Sequence, residues 1–222
     1  MNRHLHPAFV QLLLGLFSGT FFAAFAVLVN SNGPIMVFDE NQAVRFNSFA
    51  RQNPAVVAFA EVITQLGSRL PRAIVVIAVA LLLLLNKQWR LAVYWCATQL
   101  LMREIVDVLK NTFERPRPDF AGNVEGWSFP SGHAAGAMTT YGMLAYLVAL
   151  RWPEYRARWL PIAGLWFIIL AVGLSRMVLG AHYFSDVLGG YFLAVTYISF
   201  CIAGIEWGRN ARSSPKASTG LN

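Results

Sequence analysis

The feature that most constrains this chain is a series of apolar runs with few or no charged residues, each close to the length a helix needs to cross a bilayer. Such a helix takes roughly 17–25 predominantly apolar residues to cross about 30 Å of hydrocarbon. Hydrophobic residues make up 56% of the chain and charged residues 13%, against roughly 45–50% and about 25% in ordinary soluble domains. A soluble globule and a disordered chain are therefore both excluded. The six candidate spans are residues 8–29, 70–86, 91–109, 133–150, 159–175 and 187–205.

These runs predict an all-α fold, a polytopic membrane protein built as a six-transmembrane-helix bundle. Only helices and closed barrels satisfy their backbone hydrogen bonds in lipid, and the runs lack the two-residue alternation of barrel strands. A chain of 222 residues favours one domain. We expect a single integral-membrane domain over 1–208, with an interfacial loop at about 30–69 and the chemically informative motifs at 110–186. A disordered cytoplasmic tail is predicted at 209–222.

Several polar residues outside those motifs have structural interpretations. Arg72, near the start of the second run, can extend its side chain to the interface. Asp39 with Gln42 three residues later resembles a capping box. Arg103 and Asp107 are spaced for a salt bridge on one helix face. The loop at 30–69 keeps a helical apolar stripe and is expected to lie along the outer interface, as a packing elbow or as a substrate gate. The stripe consists of Val56, Phe59, Ala60, Ile63 and Leu66.

The net charge of +7 indicates orientation rather than a nucleic-acid partner. No block of five or more basic residues forms a footprint for nucleic acid. With six spans, both termini lie on one side, whose basic residues fall in short stretches and which holds few of the acidic residues. Because basic residues in short loops favour the inner face, both termini are predicted to be cytoplasmic. The two cysteines lie inside apolar runs, where a free thiol behaves as a small hydrophobe.

Three polar clusters lie at the ends of the predicted spans. The first is the segment KNTFERPRP, in which Lys110 is followed by Arg117. The second, Pro130 to His133, opens the fourth span, and the third bridges the last two spans. On the predicted topology all three converge on one face of the membrane. Their candidate site residues are Lys110, Arg117, Ser131, Gly132, His133, Arg176, His182 and Asp186.

The residue types in these clusters suit phosphoryl chemistry without a metal. Three cations at one place, Lys110, Arg117 and Arg176, favour a group whose oxygens carry transition-state charge. Ser131 and Gly132 precede a helix, whose free backbone N–H groups and dipole form an anion site.

The two histidines of the clusters suit two different tasks. His182 and Asp186 lie four residues apart, so the carboxylate can orient the imidazole and leave its other nitrogen free to attack phosphorus. His133 can then protonate the leaving oxygen and later activate water.

These motifs resemble those of the type 2 phosphatidic acid phosphatase family, which shares its phosphate site with vanadium haloperoxidases. The resemblance runs from Lys110 to Asp186. It implies a six-helix membrane phosphatase that uses no cofactor, acts on lipid phosphates and works through a phosphohistidine. On this sequence it implies that His182 is the nucleophile, that Asp186 orients it and that His133 is the general acid and base. The phosphate would be bound by Lys110, Arg117, Ser131, Gly132 and Arg176.

The predicted function is hydrolysis of a lipid phosphate or diphosphate at the outer face of a bacterial plasma membrane. Candidate substrates are undecaprenyl diphosphate, phosphatidic acid and phosphatidylglycerophosphate. The expected partners are the lipid phosphate and membrane lipids, with no nucleic acid, and the sequence says nothing about oligomeric state. A phosphotransferase that passes the phosphoryl group to another lipid has the same motifs and stays open.

Other functions fit the sequence less well. The two histidines with Asp186 could bind a metal, but three converging cations would repel it. Oxidative chemistry like that of the vanadium relatives is disfavoured because those proteins are generally soluble. A channel or scaffold would have no reason to gather two histidines and three cations.

Two residues near the motifs keep two interpretations each. Arg115 is interpreted either as a head-group contact or as an exposed loop arginine, and Tyr183 either as a pocket residue or as part of an aromatic belt.

Overall fold

The computed structural model describes residues 6–29, 33–122 and 124–213, and the regular structure in these ranges is helical throughout. No β-strand occurs among these residues, which confirms the predicted all-α class. The helices are α1 (Pro7–Val29), α2 (Pro34–Gln52), α3 (Pro54–Gln65), α4 (Arg69–Leu85), α5 (Trp89–Phe113), α6 (Gly132–Ala137), α7 (Met143–Arg151), α8 (Trp159–Val178) and α9 (Phe184–Ser213). A π-helical turn (Met138–Gly142) joins α6 to α7, and a 3-10 turn (Arg156–Arg158) precedes α8.

The hydrophobic core lies where α6 meets α5, α8 and α9, and α1 packs along α9. Small residues let α6 approach closely. A Cβ on Gly190 of α9 would lie 2.7 Å from the carbonyl oxygen of Ser131, so only glycine allows this contact without a shift. The Ser131 N–H also donates to the carbonyl of Asp186, at 2.9 Å. These contacts bring the start of α6, which carries His133, against the start of α9, which His182 precedes by two residues. The buried core side chains are Met102, Val106, Ala135, Ala137, Met138, Tyr141, Ile169, Val172, Leu193 and Ala194.

Three helical segments of the described part are long and apolar enough to cross a membrane: Pro7–Val29, Arg156–Val178 and Phe184–Arg209. The pair Pro54–Gln65 and Arg69–Leu85 is a fourth if its 42° bend lies within one span. The protein is therefore a membrane protein by composition, while six spans and cytoplasmic termini stay predictions. Helix α5 carries several charges in its second half, and the path from Gly132 to Arg151 is interrupted by the π-turn.

The predicted interfacial loop at 30–69 contains two helices. Helix α3 packs against α8 and buries Ala60 and Thr64. Two members of the predicted apolar stripe, Ile63 and Leu66, pack against the core. Phe59, in contrast, is 58% exposed. The stripe therefore packs partly against protein rather than lying only on the interface.

Two predictions about polar residues are wrong. Asp39 lies inside α2, whose N-cap is Gly33 followed by a proline, so it caps nothing and is free to reach another element. Arg72 does not extend to the interface. Its Nε donates to the carbonyl of Gly67 at 3.0 Å, and its guanidinium lies against Gly136 of α6. The carbonyl that ends the turn after α3 holds the side chain inward.

The helices test two other predictions, the ion pair on α5 and the start of the C-terminal tail. Arg103 and Asp107 of α5 form the predicted ion pair, with an N–O distance of 3.8 Å. Helix α9 continues to Ser213, beyond residue 209, where the tail was predicted to begin. Residues 214–222 of that predicted tail lie outside the described residues.

Candidate active site

The start of α6 forms the base of the candidate site. Ser131 is the N-cap of α6, and its hydroxyl accepts a hydrogen bond from the N–H of Ala134. Its side chain is fully buried. A Cβ added to Gly132 would contact the side chains of Val106 and Lys110, at 3.6 and 4.0 Å. The predicted residues Ser131 and Gly132 therefore lie beside the predicted cation Lys110.

Arg117 lies across the site from α6 and contacts His182. Its Nη1 donates to the carbonyl of Ala181 at 2.7 Å and lies 3.2 Å from Nε2 of His182. Its Nε donates to the carbonyl of Gly126 at 2.8 Å. Because four backbone carbonyls and the histidine fix both edges of the guanidinium, Arg117 is held in a single orientation facing the imidazole. An arginine held in this way places a permanent positive charge beside the imidazole, which suits a phosphoryl oxygen.

Lys110 and Arg176 approach the same place from α5 and α8. The Lys110 ammonium donates to the carbonyl of Trp127 and, at 3.5 Å, to that of Ser128. Arg176 is buried, and its Nη1 donates to the hydroxyl of Thr64 on α3, at 2.9 Å. Its Nε is buried without a hydrogen-bond partner among the described residues. A buried N–H of this kind needs an acceptor, which a bound phosphate would supply.

His182 lies in the short turn between α8 and α9, with its ring fixed at both nitrogens. Nδ1 lies 3.3 Å from Oδ2 of Asp186, and Nε2 faces Arg117. An arginine can only donate hydrogen bonds. Nε2 is therefore the acceptor with a lone pair, and Nδ1 carries the proton donated to Asp186.

The local sequence explains why Asp186 is held so well. It is the third residue of α9, and Oδ2 accepts a hydrogen bond from the N–H of Tyr183 at 2.9 Å. A carboxylate that reaches back from this position is the second half of a capping box. The same side chain therefore caps the helix and orients His182.

His133 is the second residue of α6. A Cβ on Gly67 would lie 3.1 Å from Cδ2 of its ring, so the turn between α3 and α4 packs against the imidazole. The guanidinium groups of Arg176, Arg72 and Arg117 are electrostatic neighbours of the ring. No carboxylate of the described residues lies within ion-pair distance of it.

Two further residues, which sequence reasoning did not assign to the site, complete it. Arg115 is 3% exposed and donates from Nη1 to Oδ1 of Asp186 at 2.6 Å and from Nη2 to Oδ2 of Asp39 at 2.7 Å. Asp39 also accepts hydrogen bonds from the backbone and hydroxyl of Ser185. Arg115 is thus neither an exposed loop residue nor a head-group contact. It joins α2 to the carboxylate behind His182.

A sequence signal for part of this network exists. Arg115 lies two residues before Arg117, between the two cations of the first motif. This position indicates that its side chain is close to the site and has an acidic partner there. Nothing in the sequence identifies Asp39 as that partner, because 76 residues separate the two. Tyr183 also contacts this network, through Arg115. Its ring is buried, and the Arg115 guanidinium lies 4.5 Å from its centroid.

The electrostatics follow from burial and from these pairs. Burial lowers the pKa of His182 to about 4, with Arg117 contributing in the same direction against the opposing effect of Asp186. The imidazole is therefore neutral near pH 7. Burial alone would lower the pKa of Arg115, but the carboxylates of Asp186 and Asp39 raise it overall. The two carboxylates thus share a permanently charged partner.

The eight predicted site residues therefore lie together at one end of the helices. Among the described residues, no group of three or more His, Cys, Asp or Glu side chains is placed to hold a metal ion. What the residues do offer is a set of cations and helix N–H groups around two imidazoles, one of which carries a fixed lone pair. Such a set fits a tetrahedral phosphate.

Comparison with known families assigns this arrangement. The family model of the PAP2 superfamily matches residues 87–209. The chain belongs to the PAP2 superfamily. The matched segment begins before α5 and ends within α9, so it contains all eight predicted site residues and Arg115, while Asp39, Thr64 and Arg72 lie outside it.

Curated relatives in this superfamily are phosphatases. The chain is 39% identical over 104 residues to phosphatidylglycerophosphatase B of Bacillus subtilis (strain 168), covering 45% of this chain and 50% of the relative. It is 33% identical over 118 residues to lipid A 1-phosphatase of Rhizobium etli, covering 46% of this chain and 47% of the relative. The chain thus aligns with about half the length of the curated relatives it matches.

A solved structure extends the likeness over most of the fold. The crystal structure of a transmembrane PAP2 type phosphatidylglycerolphosphate phosphatase from Bacillus subtilis matches with a TM-score of 0.75. The match covers 91% of this chain and 98% of the other, at 26% identity. The match therefore extends beyond the segment that the family model covers.

Proposed function

We propose that this protein hydrolyses a lipid phosphate or diphosphate, without a metal, through a phosphohistidine on His182. The observation that carries this proposal is the orientation of His182. Its Nδ1 faces Asp186 and its Nε2 faces an arginine that can only donate. The Nε2 lone pair is therefore directed at the Arg117 guanidinium, and a phosphoryl group bound beside Arg117 would lie next to it. The curated relatives are named as lipid phosphatases, which supports the same reaction.

The first step forms the covalent intermediate. Lys110, Arg117, Arg176 and the N–H groups at the start of α6 would bind the phosphoryl oxygens. The Nε2 lone pair of His182 attacks phosphorus, while the bond from phosphorus to the lipid oxygen breaks. The imidazole gains positive charge as the new bond forms, and Asp186 stabilises it through Nδ1.

The second histidine serves both halves of the reaction. His133 takes up a proton once the bound phosphate offsets the charge of its arginine neighbours, donates that proton to the departing lipid oxygen and becomes neutral again. Neutral His133 then takes a proton from water, whose oxygen attacks phosphorus and breaks the P–N bond. His182 recovers its lone pair, phosphate leaves, and His133 is again protonated. A lipid hydroxyl entering in place of water would give the phosphotransferase alternative.

The substrates we propose are undecaprenyl diphosphate, phosphatidic acid and phosphatidylglycerophosphate, with the head group entering between helices. We place the site at the periplasmic or outer face of a bacterial inner membrane. Exposed arginines at the opposite end of the helices, Arg90, Arg151 and Arg209, favour a cytoplasmic location for that end. A Val124→Cys label in a Cys96→Ser, Cys201→Ala background should react from outside the cell. Labelling only from inside would invert this orientation.

The test of the reaction is phosphate release by purified full-length protein in detergent, with EDTA present. Wild-type protein should release phosphate from at least one of the three lipids, and vanadate should inhibit as a transition-state mimic. A His182→Gln variant should release none. A strict metal requirement, or full activity of that variant, would contradict the proposal.

A further inference from the structure

Arg72 is a cation near the candidate site that the proposed reaction does not use. It lies in the first turn of α4, outside the segment that matches the family model. Its Nε donates a hydrogen bond to the carbonyl of Gly67, at 3.0 Å. None of the described carboxylates lies within ion-pair distance of it, whereas buried Arg115 has two. A half-buried arginine without a counter-ion inside a membrane protein is a candidate for binding a substrate charge.

The Arg72 guanidinium occupies space that Gly136 leaves open. A Cβ on Gly136 would overlap Nη1, Cζ and Nη2 of Arg72, so the absence of a side chain there lets the guanidinium lie on α6. Gly136 follows His133 by three residues and shares its helix face. The guanidinium therefore lies about 4.5 Å along α6 from the level of His133, away from Ser131 and in the direction of the predicted fourth span.

This place corresponds to the leaving group of the proposed reaction. The attacking and leaving atoms lie on opposite sides of phosphorus in an in-line displacement. His182 attacks from one side, so the lipid oxygen that His133 protonates departs on the other. Along α6 beyond His133, the charged group that lies against the helix at Gly136 is the Arg72 guanidinium.

We propose that Arg72 binds a second phosphate carried by the leaving group, which lies across the bridging oxygen in a lipid diphosphate and across the glycerol in phosphatidylglycerophosphate. The proposal rests on the proposed function and sharpens its substrate class. A lipid diphosphate leaves a lipid monophosphate, and phosphatidylglycerophosphate leaves a phosphodiester, so both retain a negative charge. Phosphatidic acid leaves a neutral diacylglycerol. Arg72 thus selects the first two substrates over the third.

The test compares substrates within each variant. The value of kcat/KM is measured in detergent with EDTA for a polyprenyl diphosphate, phosphatidylglycerophosphate and phosphatidic acid. In Arg72→Gln the ratio of each of the first two values to that for phosphatidic acid should fall about 10- to 100-fold, the size of a lost hydrogen bond to a charged group. Because each ratio comes from one preparation, a lower folded fraction does not change it.

Two further variants separate charge from position. Gly136→Ala keeps Arg72 but displaces its guanidinium, the flexible end of the side chain, and should lower the same ratios. Arg69→Gln removes an exposed arginine one turn away and should leave them unchanged. If the diphosphate ratio falls and the glycerol-linked ratio does not, Arg72 reaches only the directly bonded phosphate, which still supports the proposal for diphosphates.

An equal loss on all three lipids in Arg72→Gln would overturn the proposal and give Arg72 a purely structural role beside His133. Unchanged ratios would overturn it as well. Failure of wild-type protein to release phosphate from any of the three lipids would instead count against the proposed function itself.

Discussion

The two histidines of the site have opposite surroundings. His182 is backed by a closed network of buried charges, in which Asp186 contacts Arg115 and Arg115 contacts Asp39. His133 is backed by a glycine turn and by arginines, without a carboxylate among the described residues in ion-pair distance. A nucleophile needs one tautomer and a stabilised cation, which a fixed carboxylate supplies. A general acid and base must exchange its proton twice in each cycle, and a fixed counter-ion would oppose this.

The largest expected effect separates the two histidines directly. His182→Gln should lower kcat by about 10⁴-fold or more, because no covalent intermediate forms. His133→Gln should lower it by roughly 10²- to 10⁴-fold, the contribution typical of a general acid and base. Both values come from phosphate release at saturating lipid. If the loss in His133→Gln were equal to or larger than that in His182→Gln, the roles assigned to the two residues would be wrong.

The next effect tests the network behind His182. Arg115→Gln leaves Asp39 and Asp186 buried without their shared cation, which should cost about 3–5 kcal/mol of unfolding free energy. The folded protein should also lose roughly 10²-fold in kcat, because Asp186 no longer holds His182. Thermal unfolding in detergent and phosphate release measure the two effects.

Matched variants show whether this effect is specific. Asp39→Asn keeps the side-chain shape and removes one charge, so it should give a smaller loss in the same direction. Arg103→Gln removes an exposed arginine whose pair with Asp107 lies on the surface, and such pairs contribute little. A wild-type melting temperature and kcat in Arg115→Gln would show that the network does not support the site.

A smaller effect concerns the phosphate contacts. Thr64→Val removes the hydroxyl that accepts from Arg176 and keeps the side-chain volume. The loss of one hydrogen bond corresponds to about 0.5–1.5 kcal/mol, so kcat/KM should fall about 2- to 12-fold. Thr112→Val is the control, since that exposed hydroxyl bonds only within its own helix, to Val108. Equal effects of both variants would exclude a positioning role for Thr64.

The smallest expected change is in the charge of His182 between pH 7 and pH 5. Its folded pKa of about 4 lies below the ordinary value of about 6.5, so the ring should stay neutral over this range. The unfolded chain then binds more protons between pH 4 and 6.5, and stability should fall as the pH is lowered through that window. NMR of ¹³C-labelled histidine, assigned by the signal missing in His182→Gln, follows the titration. A midpoint near 6.5 would contradict the burial that the structure shows.

The sequence predicts the all-α class and the site motifs because both depend on short-range patterns. Apolar runs indicate helices. The motifs lie at the starts of two of these helices, α6 for Ser131 and His133 and α9 for His182 and Asp186, so local sequence determines where they lie. What the sequence does not show is contact between distant segments.

Asp39 and Arg72 illustrate this limit. Each has a local explanation, a cap or an interfacial arginine, and each instead contacts a residue far along the chain, Arg115 or Gly136. Pairing of this kind is decided by how α2 and α4 pack against the rest of the molecule, which no local pattern encodes.

The most direct test of the account is to trap the phosphoenzyme. Protein carrying His133→Gln, in which water activation should be slowed, is mixed with a lipid diphosphate labelled on its terminal phosphorus, whose phosphate leaving group needs protonation less than an alkoxide does. The mixture is quenched in alkali, where a phosphohistidine survives. The account predicts acid-labile, alkali-stable label on the peptide containing His182, and no label in the His133→Gln, His182→Gln double variant. Label on another residue, or phosphate release by wild-type protein with no labelled intermediate at any quench time, would contradict it.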